Sequence, residues 1–323
     1  MKTNPCSLLI VVALLLATTV SAWAQQYPTR AVRLIVPFPP GGGTDTMARA
    51  IAPKLSELLG QQVVPENRGG AGANIGAEVA AKAAPDGYTL MLATITNAIG
   101  ATLYTKLNYD LVRDFAPITR LATTPHILVV HPSVPVKTVK EFTAFARARP
   151  GELTYSSSGA GSAAHLAGEL FSSLTNVKMV HVPYKGGGPS MIALVGGEVS
   201  VCFATMPSAV GYVRSGRLRG IAVTTDKRSP SMPELPTIAE TGVAGYEAGS
   251  WYGLSAPAGT SKEIIARLHA ETMKVMALPD VKERLFNAGF EVVTSSPEQF
   301  AAFTRSEILK WGKLVKATGL KAD

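Results

Sequence analysis

The chain predicts an α/β protein of two domains with a ligand cleft between them, and three observations carry that expectation. From Val32 onward, short β-branched runs alternate with helical stretches, the pattern of βαβ units around largely parallel sheets. Three glycine-rich turns each follow an apolar run and open a helix. The 323 residues are 46% hydrophobic and only 17% charged, which is core material enough for one large or two medium domains. Two is the reading taken.

The first element is an export signal. Lys2 gives a positive start, residues 8–20 form an apolar stretch too short for a comfortable membrane span, and Ala22-Trp23-Ala24 has the small-x-small pattern of a cleavage site. Cleavage after Ala24 is expected, giving a mature chain that begins at Gln25 and lies in the periplasm. It removes Cys6 and leaves Cys202 without a disulfide partner. No later run approaches 18 apolar residues, so no other membrane span is expected.

Strands are expected over residues 32–36, 89–93, 127–130, 180–182, 199–204 and 220–224, and helices over 44–59, 73–84, 139–149, 162–175 and 207–215. The last part is mostly helical, over 262–277, 280–288 and 297–318, with one strand at 291–293, and should wrap a sheet already made. Turn-rich segments at 122–125 and 226–236 are the expected crossings between domains. Domain I would then comprise 25–123 and 227–323, and domain II 124–226.

A formal charge of +8 is the excess of 31 Lys and Arg over 23 Asp and Glu, and the basic residues are spread along the chain with no run of four, so a basic surface with general attraction for small anions is expected, and no nucleic acid partner. The chemistry concentrates in the turns. In Ile35-Val36-Pro37-Phe38-Pro39-Pro40-Gly41-Gly42-Gly43-Thr44-Asp45, prolines fix the approach and glycines let the backbone near a guest. The first helical amides then lack internal partners. Thr46 stands where a dinucleotide fingerprint needs its third glycine, and no Gly-Lys-Ser/Thr follows, so a carboxylate suits the loop at least as well as a phosphate. The alternative is a tight strand-to-helix turn capped by Asp45 or Thr44.

The second turn, Ser156-Ser157-Ser158-Gly159-Ala160-Gly161-Ser162, leads to His165, and the third, Tyr184-Lys185-Gly186-Gly187-Gly188, repeats the design. Lying at the carboxyl edges of their sheets, two such helix starts would face each other as a pincer on an anion. His165 is the one histidine expected near a ligand, with helix packing as its alternative. Trp251 and Tyr252, with Phe38 and Tyr184, would form cleft walls or hinge, or else ordinary core. No Gly-x-Ser-x-Gly occurs, Cys202 reads as inert core, and the histidines at 126, 131, 165, 181 and 269 show no metal spacing. No catalytic residue, metal or cofactor is expected.

These residues carry a resemblance. The Phe38–Asp45 loop is joined by Val64-Pro65-Glu66-Asn67-Arg68-Gly69-Gly70-Ala71-Gly72, Pro85-Asp86-Gly87-Tyr88, His181-Val182-Pro183-Tyr184-Lys185-Gly186 and Trp251-Tyr252-Gly253-Leu254. In that order, over essentially the whole mature chain, they resemble the Bug (Bordetella uptake gene) family. These are the TctC-like solute-binding proteins of tripartite tricarboxylate transporters. The resemblance implies a type II-like periplasmic binding protein with two crossover connections, serving membrane permease subunits as a monomer. It also implies that the ligand carboxylate is held mainly by backbone groups and bridging waters from the Phe38–Asp45 and Ser156–Ser162 loops.

At Ala204-Thr205-Met206-Pro207-Ser208 this chain departs from the family, whose members often carry Asp at the first of these positions. That leaves either neutral drift or a change of ligand class, and the expectation taken is a carboxylate ligand without an ammonium group. Two other uses of the fold stay open, an extracytoplasmic sensor and an exported hydrolase acting through Ser158 or Ser162 with His165.

Overall fold

The computed structural model describes residues 27–318. Among them ten strands are linked by hydrogen bonds in the order β2-β1-β3-β9-β4-β7-β5-β6, with β8 and β10 also paired to β4. The strands are β1 (Val32–Val36), β2 (Val63–Asn67), β3 (Thr89–Thr94), β4 (Phe115–Val130), β5 (Thr154–Ser157), β6 (Val180–Pro183), β7 (Val201–Thr205), β8 (Arg219–Val223), β9 (Gly249–Pro257) and β10 (Glu291–Val292). The expected predominance of parallel pairing is corrected. β1 is parallel to β2 and β3, and β5 to β6 and β7, but β9 lies antiparallel to both β3 and β4, and β4 antiparallel to β7 and β8.

β4 holds the two halves together. From Phe115 to Pro125 it pairs with β9, and from His126 to Val130 it pairs with β7 and β8. The segment 122–125, expected as a turn, is therefore the middle of one strand: Thr123, Thr124 and Pro125 pair with Trp251, Ser250 and Gly249. Its Thr-Thr-Pro composition reads locally as a break, yet threonine suits a pleated strand, and the proline sits where the chain changes partner. The return path runs from β8 to Gly249. Along it Val223 bridges Thr237, the Tyr246 hydroxyl donates to Ala167 O at 2.9 Å, and Ile238, Tyr246 and Ala248 are buried with Leu128, Phe142 and Phe171.

Alternation along the strands divides the core. In β1, Val32, Leu34 and Val36 face one cluster and Ile35 the opposite one; in β4, Leu128 and Val130 face one cluster and Ile127 and Val129 another. Helices cover both faces: α1 (Gly43–Leu59), α2 (Asn74–Ala81), α3 (Ile95–Leu103), α4 (Val139–Arg147), α5 (Ala163–Thr175), α6 (Gly187–Val195), α7 (Met206–Arg214), α8 (Lys262–Ala277), α9 (Pro279–Asn287) and α10 (Pro297–Thr318). The expected C-terminal wrapping is seen, with Leu268, Val275, Val281 and Leu285 buried in the cluster where α8 and α9 pack on α1 and α8 on β4, and Trp311 and Val315 against α3. The export signal and its cleavage site lie outside the described residues. Within them, no helix is long and apolar enough to cross a membrane.

Candidate functional site

Five strands of the sheet end in helix starts that surround one cavity. Gly43 and Thr44 begin α1, Ile95 and Thr96 begin α3, Ala163 and Ala164 begin α5, Gly187 and Ser190 stand in the first turn of α6, and Thr205 caps α7. Each helix start carries amide hydrogens without an intrahelical acceptor and the positive end of a helix dipole. The cavity's free volume is ≈ 50 Å³, room for a few water-sized centres at ~10–15 Å³ each. No Lys, Arg, Asp or Glu lines it. What it offers a guest is amides, the hydroxyls of Thr44, Thr94, Thr96, Ser158, Ser208 and Ser250, and apolar contact from Phe38, Met191 and Tyr252.

The sequence explains why backbone comes so close here. A Cβ on Gly43 would run into the Tyr252 hydroxyl, and one on Gly188 into the Pro40 carbonyl. The first and third glycine turns therefore touch at the cavity mouth. Gly161 has φ +73°, a left-handed conformation that glycine adopts without strain, and a Cβ there would strike Leu103 of α3. The second turn is thereby laid against the other half of the sheet.

Of the residues singled out from sequence, Phe38, Gly42, Gly43, Thr44, Ser158, Ala204 and Thr205 line the cavity. Tyr252, expected as a cleft wall, lines it too, and the remaining residues lie outside the lining. Asp45, at the third position of α1, accepts from Gly41 N at 3.1 Å, Arg49 Nε at 3.0 Å and Asn67 Nδ2 at 3.1 Å. Burial alone would raise its carboxyl, but the bonds from Arg49, Gly41 and Asn67 outweigh it and hold the group below the usual carboxylate range. Asp45 thus ties the 38–43 turn to the first turn of α1. Pro39 and Gly41 shape the same turn without lining the cavity. Ser156 accepts from Ser190 Oγ at 2.8 Å, and Ser157 Oγ bonds His181 Nε2 at 2.7 Å. Gly159 donates its amide to Ser157 Oγ, and Ser162 caps α5 by accepting from His165 N at 3.3 Å.

Three expectations move. His165 is outside the cavity lining: its Nδ1 accepts from Gly161 N at 3.0 Å and its ring stacks on His181 at 3.8 Å between centroids, so it braces the loop from behind. Trp251 is buried between Phe300 and Phe303 with its Nε1 donating to Glu307 Oε2 at 3.0 Å, because alternation along β9 turns it away from the face that Tyr252 presents. Tyr184 lies beside the mouth, its hydroxyl 3.5 Å from Glu198.

Sequence reasoning missed α3, whose Thr94 start carries no glycine signal, although its Asn97 side chain accepts from Thr94 N at 3.0 Å as a capping residue should. It also missed His126, a wholly buried residue of the lining. Burial pushes that imidazole down to about 4. Cys202, expected as inert core, is buried and also lines the cavity, with its thiol pushed up by burial.

A cavity between two halves of one mixed sheet, ringed by helix starts, with β4 running through both halves, is the architecture of an α/β solute-binding protein. The chain belongs to the tripartite tricarboxylate transporter family receptors, TctC, whose family description it matches over residues 47–320. Protein BugT of Bordetella pertussis is 38% identical over 323 residues, covering 98% of this chain and 99% of that one. A solved R. palustris protein with adipate is 40% identical with TM-score 0.88, covering 91% of this chain and 99% of its own. MatC of Rhodopseudomonas palustris, solved with bound malate, is 34% identical with TM-score 0.85, covering 90% of this chain and 100% of its own. Members of the family are periplasmic solute-binding proteins.

Proposed function

We propose that this protein captures a small carboxylate lacking an ammonium group and delivers it to the membrane permease subunits of a tripartite tricarboxylate-type transporter. The observation that carries the reading is the ring of five helix starts around a cavity lined by no charged side chain. An anion is welcome there, at ~0.3–1 kcal/mol per terminus and ~1.5–3 kcal/mol per hydrogen bond to a charged group. Several such contacts reach the ~8 kcal/mol of micromolar binding after immobilisation of the ligand. An ammonium would find no carboxylate at Ala204 or elsewhere on the lining, and an unpaired buried charge is costly. The adipate and malate of the two relatives are ligands of this kind.

The reading includes two domains that close on the ligand as a monomer, after export with cleavage behind Ala24. Their boundary is best set where β4 changes partner, between Pro125 and His126, and on the return at 248–249 rather than at 226. The burial of Ile238, Tyr246 and Ala248 with Phe142 and Phe171 supports that revision. Phe38, Gly42, Gly43, Thr44, Ser158, Ala204 and Thr205 are the contacts carried forward from sequence. Binding without turnover is part of the same reading, since burial keeps the Cys202 thiol protonated and Ser190 already donates to Ser156.

Calorimetry tests it with the matched pair succinate and aspartate, then adipate and malate. Succinate, adipate or malate should bind with micromolar affinity and aspartate at least tenfold more weakly. Tighter binding of aspartate would overturn the exclusion of ammonium, and no binding by any acid would overturn the carboxylate reading.

A further inference from the structure

His126 is held so firmly by its backbone that its side chain has only one use left. Its N donates to Thr224 Oγ1 at 2.8 Å, and its O accepts from Thr224 N and Thr224 Oγ1, both at 3.1 Å. It is the first residue of β4 to pair with β7, opposite Thr205, and so stands at the floor of the cleft where the chain crosses. The ring is 0% exposed and lines the cavity. Its Nε2 lies 3.5 Å from Ser250 Oγ, also of the lining, while its Nδ1 has no hydrogen-bond partner in the protein. Among the described residues, no other buried side-chain atom left unpaired in this way belongs to the lining.

Resting on the carboxylate reading above, we infer that His126 recognises a second oxygen-bearing group of the ligand by donating Nδ1–H to it. A buried polar atom without a partner is rare and costly, so an orphan on a residue that lines a ligand cavity points to a contact the ligand completes. The chemistry selects the tautomer. A guest drawn in by helix N-termini is rich in lone pairs and poor in protons, so the unpartnered ring nitrogen must carry the hydrogen to meet it, and Nε2 then accepts from the Ser250 hydroxyl. Amides at the helix starts hold one carboxylate, and His126 reads what stands across the cavity from it: a second carboxylate, a hydroxyl or a carbonyl. A monocarboxylate of equal length leaves Nδ1 unpaired and is selected against.

Calorimetry with succinate against butyrate, and adipate against hexanoate, measures that selectivity in the native chain and in two variants. His126→Phe keeps a flat ring of similar shape without the donor and should reduce the preference for diacid over monoacid about 10- to 100-fold. His126→Asn places an amide nitrogen near the position of Nδ1 and should restore most of it. Should the Phe variant fail to fold, His126→Leu carries the same comparison. In the native chain, imidazole nitrogen NMR should show Nδ1 protonated in the succinate complex. An unchanged diacid-to-monoacid ratio in His126→Phe, or an unprotonated Nδ1 in the complex, would overturn the inference alone. Failure of all four acids to bind the native chain would overturn the carboxylate reading, and this inference with it.

Discussion

His126 also sets how the protein meets acid. In the unfolded chain an imidazole titrates near ~6.5, whereas burial pushes this one down to about 4 in the fold. Between those values the unfolded chain binds a proton that the folded chain refuses, so stability is complete above ~6.5 and falls as the pH drops through the window, by ~3 kcal/mol. His165, and His181 beneath the second glycine turn, act in the same direction, since burial lowers both and each sits on the other. Asp45 adds a later loss. Its carboxyl is held below its unfolded value, so its contribution is present above ~3.9 and disappears as the pH falls further. Urea denaturation of the native chain and His126→Phe from pH 7.5 to 4.5 should show the variant losing distinctly less stability over that range. At this scale the sequence was legible where conformation is local. Gly43, Thr44 and Asp45 announce their roles through glycine, cap and spacing, but nothing adjacent to His126 separates a floor residue of a cleft from a core histidine.

At the scale of the element, the strand-turn-helix units could be read because each is a continuous piece of chain with its own punctuation. Glycines mark α1, α5 and α6, and Pro207 marks α7. β4 could not be read in this way. Its first ten residues are half-polar, and hydrogen bonds to β9 and β10, both more than a hundred residues away, make them a strand. The second glycine turn gives the sharpest test. Gly161→Val would place a β-branched residue at φ +73° and drive its Cβ into Leu103. Strain of ~1–3 kcal/mol is expected, together with a loop that can no longer lie against α3. Thermal denaturation should show a lowered midpoint, and succinate affinity should fall more than tenfold in the fraction that remains folded. A variant with native affinity would separate this turn from the site.

For the whole molecule, the order of strands and helices led to an expectation of two domains joined through turns at 122–125 and 226–236, whereas residues 122–125 are the middle of β4 and the strands join in one sheet. Composition falls silent on pairing partners, which depend on register between distant strands. If the halves close on the ligand as proposed, small-angle scattering should show a smaller radius of gyration with saturating succinate than without. Tryptophan emission should report little of this, because Trp251 is packed against Phe300, Phe303 and Glu307 and faces away from the cavity. A large emission change with no change in scattering would point to rearrangement of α10 instead of closure.

The ring of helix starts has a consequence for how such a protein can diversify. Its attraction for negative charge resides in peptide groups, which every residue type except proline supplies alike, so shortening a side chain of the lining leaves it in place. An alanine scan of the pocket should therefore read as a scan of taste: Phe38, His126, Met191, Thr205 and Tyr252 would each alter which acid is preferred, while some acid would still be held. The grip is inherited with the backbone, and the choice of cargo can drift from one lineage to the next without passing through a form that binds nothing.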